Sequence, residues 1–116
     1  MPLNTWDEDI VIAELDDEPL FSEDMDNLHR LLEEAAKDEA PLPCIIVDLK
    51  SVTTVNSSNL GALLKLRTTL QQANKRLVIC SVTEGVWAAL LATGLDRVFV
   101  FTKAVDTAIA RIKLEC

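Results

Sequence analysis

Four short apolar runs, separated by segments of helical periodicity, most constrain how this chain of 116 residues can fold. Each run is five or six residues long, which suits a strand better than a helix. The later three are apolar at almost every position, as expected for strands covered on both faces of a sheet. The predicted strands are Ile10–Leu15, Cys44–Leu49, Arg76–Ser81 and Arg97–Phe101, with a short extended piece near Leu3–Trp6.

Helix start and stop signals divide the segments between these strands. Alternation of strands and helices with short links predicts the α/β class. We expect one domain, residues 1–116, with a mixed, mostly parallel sheet of four to five strands, about four helices and sequential right-handed winding. The first predicted helix runs from an N-cap at Ser22 to about Lys37, and the second from about Ser57 to Ala73, with Asn74 as a left-handed stop. The third, capped by Thr83, runs from Glu84 to Thr93 and is stopped by Gly94. The fourth runs from a cap at Thr102 to about Lys113.

The charge distribution argues against nucleic-acid binding. The net charge is −8; residues 1–41 contain 14 acidic and 2 basic side chains, whereas residues 42–116 contain 5 and 9. The basic residues stand singly, apart from the pair Lys75-Arg76, so they form no basic stripe. No apolar run approaches the roughly 18 residues of a membrane span, and the acidic N-terminus does not resemble a signal peptide. We therefore expect no membrane insertion and a cytoplasmic location.

The cysteines support the same compartment. The chain has three, Cys44, Cys80 and Cys116, none in a Cys-x-x-Cys pair. An odd number argues against a disulfide framework, and Cys44 and Cys80 are expected to be free thiols acting as small apolar side chains. This usage is typical of a reducing compartment.

Few residues suit catalysis. His29 is the only histidine and falls within the first predicted helix; Asp48 ends a strand, where it is expected to accept hydrogen bonds from the following loop. The three glycines form neither a dinucleotide-binding nor a phosphate-binding loop, and no metal-ligand pattern is present, so no cofactor is expected. A small hydrolase or transferase that uses Ser57, His29 and Asp48 remains one hypothesis.

Ser57 and Ser58 stand where the second helix begins, and two explanations are open. Either Asn56 or Ser57 can cap the helix. Alternatively, a serine at this helix N-terminus is a modification site, because a phosphate adds roughly −1.5 to −2 charges beside free N–H groups that tolerate it. The fold then stays unchanged while the surface shown to a partner changes.

The segment from residue 47 to 99 resembles the STAS family, the anti-sigma factor antagonists. The matching motifs are Val47-Asp48-Leu49, Ser57-Ser58 with Leu60-Gly61, and Thr93-Gly94-Leu95. The resemblance implies a binding module, not an enzyme, in which a partner anti-sigma factor that is a serine kinase phosphorylates Ser57 and a phosphatase resets it. It also favours a monomer. Partner contact is expected at Asn56, Ser57, Ser58, Asn59 and Lys65.

Two residues depart from the family pattern, which has an acid before the serine pair and a glycine after it. Here these positions are Asn56 and Asn59. The departures keep an alternative open, in which the chain is a non-phosphorylated accessory or scaffold subunit of a stress-signalling complex or of a lipid transporter. Trp87, on the third helix, is expected to pack in the core, with an interface role as the alternative.

Overall fold

The computed structural model describes residues 3–7 and 9–115, with side chains described from residue 9 onward; Cys116 lies outside the described residues. The elements alternate as the apolar pattern predicts. In chain order they are β1 (Leu3–Asp7), β2 (Ile10–Asp16), α1 (Leu20–Lys37), β3 (Cys44–Ser51), α2 (Ser57–Gln72), β4 (Leu77–Cys80), α3 (Glu84–Thr93), a short 3₁₀ helix (Leu95–Arg97), β5 (Val100–Thr102) and α4 (Val105–Glu115).

The strands form one sheet in the order β1-β2-β3-β4-β5. β1 pairs with β2 in the antiparallel direction, and the remaining neighbours are parallel. The prediction of a mostly parallel sheet with sequential winding is therefore confirmed. Because the strands are parallel from β2 to β5, the loops that leave their carboxyl ends all gather at one edge of the sheet.

Side chains of β3 alternate between two apolar layers. Ile45, Val47 and Leu49 face the layer that α1, α2 and α3 cover, while Cys44 and Ile46 face the layer that α4 covers. All five are buried. The near-continuous apolar run in the sequence thus has a physical cause, since a strand with helices on both faces has no solvated side.

The first helix begins two residues before the predicted cap. Its N-cap is Pro19, which offers no side-chain hydrogen bond, so the prediction that Ser22 caps the helix is wrong. The Glu18 carboxylate does this work instead: it accepts hydrogen bonds from the Ser22 N–H at 2.8 Å and from the Ser22 hydroxyl at 2.6 Å. A residue just before the helix can reach the free donors of its first turn.

The last strand is shorter than predicted. Residues 95–97 form a 3₁₀ turn, in which the Val98 N–H donates to the Leu95 carbonyl at 3.0 Å. These backbone groups are then not free for the sheet, and β5 pairs with β4 only from Val100 to Thr102. Arg97–Phe101 has the sequence of a strand because four consecutive residues are apolar, but the turn that begins at Gly94 includes Arg97 and uses the N–H of Val98.

The stops predicted for α2 and α3 are confirmed. Asn74 has a φ of 58° and Gly94 a φ of 76°, both in the left-handed region. The limits of α3 are those predicted. Thr83 stands at its N-cap, although its hydroxyl donates to the Val52 carbonyl at 2.6 Å rather than to the helix. That bond ties the start of α3 to the loop after β3.

The cysteines follow the sequence prediction only in part. Cys80 is buried and free. Cys44 is disulfide-bonded, so the prediction of a free thiol is wrong at that position. Three cysteines leave room for one bridge, and a bridge removes the support that free thiols gave to a reducing compartment.

Within residues 3–7 and 9–115, no helix has both the length and the apolar character needed to cross a bilayer.

Two glycines provide a matched test of how closely α3 packs on the loop after β3. A Cβ added to Gly85 would collide with the backbone carbonyl oxygen of Thr53, whereas a Cβ on Gly61 would meet nothing within 4 Å. We expect Gly85→Ala to lower the free energy of unfolding by about 2 kcal/mol. Gly61→Ala should raise it by about 0.5–1 kcal/mol, since alanine favours the helix. Urea denaturation measures both, and equal effects would show that the loop is not seated on α3.

Candidate functional site: the Ser57 turn

The predicted site lies where three loops meet at the carboxyl ends of β2, β3 and β4. The first loop, residues 17–19, joins β2 to α1; the second, residues 52–56, joins β3 to α2; the third, residues 81–83, joins β4 to α3. We call residues 56–59, at the start of α2, the Ser57 turn. This edge is the usual place for binding groups in a parallel sheet.

Asn56, not Ser57, caps α2. The Asn59 N–H donates to Asn56 Oδ1 at 2.8 Å, and the Asn56 N–H donates to Asn59 Oδ1 at 3.0 Å. This reciprocal pair is a capping box built from two asparagines. The alternative left open by the sequence is thus decided: the capping work is done without either serine.

Ser57 and Ser58 occupy the first two helical positions, and both are exposed. Neither hydroxyl makes a hydrogen bond to any group in the described part of the chain. The N–H groups of these first positions have no partner within the helix, and the positive end of the helix dipole lies beside them. The turn therefore presents two accessible hydroxyls next to unpaired donors.

Asn59 faces inward. It is only 3% exposed, and its Nδ2 donates to the Glu18 carboxylate at 3.1 Å. Asn59 therefore joins the turn to the loop before α1, and through Glu18 to Ser22. Its predicted contact with a partner stays a prediction; what the structure gives it is the role of holding the turn.

A second carboxylate joins the same two loops. Asp17 accepts hydrogen bonds from the Thr53 N–H at 2.8 Å and from the Thr53 hydroxyl at 2.7 Å. Neighbouring carboxylates, Asp17 and Glu18, thus hold the loop after β2 against the loop after β3. No local sequence pattern singles out this pair. The available signal is their place directly after a strand, at the edge of a parallel sheet where binding groups are usual.

Hydrogen bonding lowers the pKa of both carboxylates. The hydroxyl and then the N–H of Thr53 hold the pKa of Asp17 below its ordinary value of 3.8. The hydroxyl and then the N–H of Ser22, helped by Asn59, hold the pKa of Glu18 below 4.5, while desolvation opposes the shift. Both groups are therefore ionised at neutral pH and give the site a negative rim.

These loops enclose an open depression of about 400 Å³, lined by Asp17, Glu18, Thr53, Thr54, Val55, Asn56 and Asn59. Its walls combine hydroxyl, amide and carboxylate groups with apolar surface that includes Val55. In the described part of the chain, no three histidine, cysteine or acidic side chains are arranged to hold a metal ion.

The three residues of the hydrolase hypothesis are not joined by hydrogen bonds. Asp48, 2% exposed, accepts from the Lys50 N–H at 3.0 Å, and its other oxygen lies 3.6 Å from Lys50 Nζ. Because β3 continues to Ser51, Lys50 is still part of the strand, and the prediction that Asp48 ends the strand and bonds to the following loop is wrong. His29 packs near Ala62 and Lys65 on α2: burial first and then Lys65 lower its pKa. Ala62 lies five residues beyond Ser57, about 7.5 Å along the helix. In the described part of the chain, no hydrogen bond therefore links Ser57 to His29 or Asp48.

Lys65 and Trp87 lie outside the Ser57 turn. Lys65 is exposed on α2, two turns after Ser57. Trp87 is 39% exposed, so it is not a core residue, and its ring makes an edge-to-face contact with Phe101 at 5.3 Å. The expectation that Trp87 packs in the core is wrong, because α3 directs Val86 and Leu90 inward and leaves the next residue half outside.

Substitutions at Asn56 and Ser57 distinguish the residue that caps α2 from the residue that is only exposed. Asn56→Ala removes the acceptor for the Asn59 N–H, and we expect it to lower the free energy of unfolding by about 1 kcal/mol. Ser57→Ala, one residue on, removes a hydroxyl that bonds to nothing in the described chain and should change it by less than about 0.5 kcal/mol. Chemical denaturation of both variants is the measurement. A larger loss for Ser57→Ala would contradict the assignment of the cap.

The contribution of the Glu18 carboxylate to stability should depend on pH. A carboxylate whose pKa is depressed by folding contributes stability that is complete above its unfolded pKa and is lost as the pH falls through the folded one. The difference in melting temperature between the wild type and Glu18→Gln should therefore be largest near pH 7 and shrink below about pH 4. Glu23→Gln is the control: Glu23 is exposed in the first turn of α1, and its side chain makes no hydrogen bond to the described part of the chain. A Glu18→Gln difference that does not vary with pH would refute the role of the charge.

The chain matches a known protein family and several solved structures. The family model of the STAS domain matches residues 5–108. No protein of curated function matches the chain.

Among solved structures, a serine-to-glutamate variant of RsbS from Moorella thermoacetica has a TM-score of 0.75 at 16% identity, covering 97% of this chain and 96% of that one. The anti-sigma factor antagonist SpoIIAA matches in its unphosphorylated form (TM-score 0.70, 16% identity, 96% of each chain). The phosphorylated Bacillus SpoIIAA also matches (0.68, 17%, 95% of this chain and 96% of that one). A sulfate transporter family protein from Wolinella succinogenes matches at 0.71 and 22%, over 90% of this chain and 85% of that one. These likenesses show the fold, and with the family model they identify the chain as a member of the STAS domain family.

Proposed function

We propose that this protein is an anti-sigma factor antagonist that is switched by phosphorylation of Ser57 and acts by binding a partner protein. The observation that carries the proposal is the Ser57 hydroxyl, exposed and unbonded within the described chain while Asn56 caps the helix. A phosphate on that oxygen breaks no hydrogen bond of the fold, so it changes only what a partner meets.

The chemistry of the switch is supplied by the partner. In the unphosphorylated state the chain binds an anti-sigma factor that is also a serine kinase, and a sigma factor is released. The kinase provides the ATP, the magnesium and the catalytic base, so Ser57 needs no activating group of its own. The phosphate then adds roughly −1.5 to −2 charges and bulk at the contact face, which ends the association until a phosphatase removes it.

Similar likeness to SpoIIAA in both phosphorylation states supports a switch of this kind. The TM-scores are 0.70 for the unphosphorylated form and 0.68 for the phosphorylated form. A scaffold that accommodates both states in a relative gives the phosphate no need to rearrange the fold here.

Glu18 compensates for the main departure from the family pattern, which is Asn56 in place of an acidic residue. Asn56 lacks the negative charge that the family places before the serine, but the ionised Glu18 carboxylate, on the loop after β2, accepts a hydrogen bond from Asn59 Nδ2 at 3.1 Å. The Ser57 turn thus receives a negative charge from another loop. We propose that Asn56, Ser57, Ser58 and Lys65 form the contact face, with Asn59 holding it in place.

The remaining features of the proposal concern the whole protein. The chain acts as one STAS domain, residues 1–116, as a monomer in the cytoplasm. It has no enzymatic activity, and transcription is regulated only through its protein partners.

Phosphorylation of two serine variants tests the switch. On incubation with the cognate anti-sigma kinase and MgATP, the wild type and Ser58→Ala should gain one phosphate, which peptide mass spectrometry places on Ser57, whereas Ser57→Ala should gain none. Ser57→Asp should weaken binding to the kinase at least tenfold through charge alone. An active kinase that leaves Ser57 unmodified would refute the switch, and retained binding would then leave the binding module standing.

The second candidate function, an accessory or scaffold subunit without a phosphorylation switch, is favoured by one observation. Asn59 fills the interior of the turn where the family has glycine, and it bonds to both Asn56 and Glu18. Such bonding stiffens the turn. Co-purification distinguishes the two functions: a transporter ATPase or scaffold proteins would support the second, and an anti-sigma kinase the first.

A further inference from the structure

A basic groove lies at the opposite end of α2 from Ser57. Arg67, Lys75 and Arg76 line a groove of about 190 Å³, with Phe99 and Val100 on its apolar side. A second depression of about 330 Å³ shares Lys75 and Arg76 with it. Ser57 and Gln71 are about 20 Å apart along the helix, so this surface is separate from the Ser57 turn.

The end of α2 brings these cations together. The left-handed Asn74 reverses the chain after the helix, and the Lys75 N–H donates back to the Leu70 carbonyl at 2.8 Å. The strand that follows then starts under the last turn of α2. Lys75 and Arg76, the one basic pair in the sequence, are thereby placed beside Arg67, two turns before the reversal.

The groove carries positive charge that the described chain does not neutralise. Neither Arg67 nor Lys75 forms an ion pair with any residue in the described ranges. Arg76 lies 3.5 Å from Glu115, which also pairs with Arg111 at 3.4 Å. One acid is thus shared by two arginines. In a chain of net charge −8, a local excess of positive charge attracts an acidic partner.

The apolar side of the groove favours a peptide over a small anion as the ligand. Leu77 and Phe99 line the groove but are themselves buried, so the apolar surface beside the cations comes from the partly exposed Val98 and Val100. A small inorganic anion would gain nothing from contact with this apolar surface, whereas an apolar side chain of a peptide would bury part of its surface there. Moreover, β5 is the last strand of the sheet, so its outer backbone groups can pair with an extended segment.

We propose that this groove binds an acidic, extended peptide segment of a partner protein, with one apolar side chain against Val98 and Val100 and its carboxylates at Arg67 and Lys75. The site goes beyond the Ser57 switch and does not depend on it. It gives the module a second contact that phosphorylation leaves in place, so a partner can stay attached while the Ser57 end is released.

Fluorescence anisotropy with a labelled ten-residue peptide of Glu and Asp around one Leu tests the site. We expect saturable binding that weakens as salt is raised. Arg67→Glu/Lys75→Glu should lower the affinity at least tenfold. Arg30→Glu/Lys37→Glu, which changes the net charge equally at two exposed positions on α1, should lower it less than threefold. Replacing the peptide's Leu by Ser should weaken binding at least threefold, and Ser57→Asp should change it less than twofold.

Several outcomes would overturn the proposal. Equal losses in the two double variants would mean that only net charge matters. Displacement of the peptide by an equal charge concentration of inorganic phosphate, or of single-stranded RNA, would mean an unspecific anion surface. A salt-sensitive dimer in sedimentation, abolished by Arg67→Glu/Lys75→Glu, would mean that the occupant is a second copy. Circular dichroism confirms folding, and Arg67→Gln/Lys75→Gln replaces the charge reversal if that variant unfolds.

Discussion

Two carboxylates on adjacent residues hold together the edge of the sheet on which the site is built. Asp17 bonds to Thr53, and Glu18 bonds to Ser22 and Asn59, so the loop after β2 is fixed to the loop after β3. The partners are 36 and 41 residues apart in the chain. Without these bonds the start of α2 would be held by its own capping box and by the packing of its buried leucines, with no tie to the loop after β2. The position of Ser57 therefore depends on charge-assisted hydrogen bonds, which are stronger than neutral ones.

The division of work within the Ser57 turn explains how a switch can be added to a stable fold. The side chains of Asn56 and Asn59 each accept a hydrogen bond from the other residue's backbone N–H. The buried leucines of α2 fix the helix on the sheet. Ser57 and Ser58 are left with no structural duty in the described chain. A serine that capped the helix would lose its bond on modification and destabilise its own surroundings. Here modification and folding involve different side chains of one turn.

The sequence was sufficient for the fold because its signals are local. Apolar runs gave β2 to β4, and Asn74 and Gly94 gave two helix ends, each through a conformation that the residue itself favours. The site was predicted less completely. Exposure of Ser57 followed from the helix start, but the inward direction of Asn59 depends on Glu18, and no local pattern announces a bond across 41 residues. Likewise, Ser22 has the composition of a cap, yet a neighbouring carboxylate took that role. The basic groove required the chain reversal at Asn74 to become visible.

The rate of amide hydrogen exchange across residues 56–59 tests the central claim most directly, since it reports each N–H of the turn separately. The account predicts protection of the Asn56 and Asn59 amides, which donate to side-chain oxygens at 3.0 and 2.8 Å, and fast exchange of the Ser57 and Ser58 amides between them. Uniform exchange through all four residues, or protection of the two serines, would contradict it, because the serines would then be part of the structure rather than free at its surface.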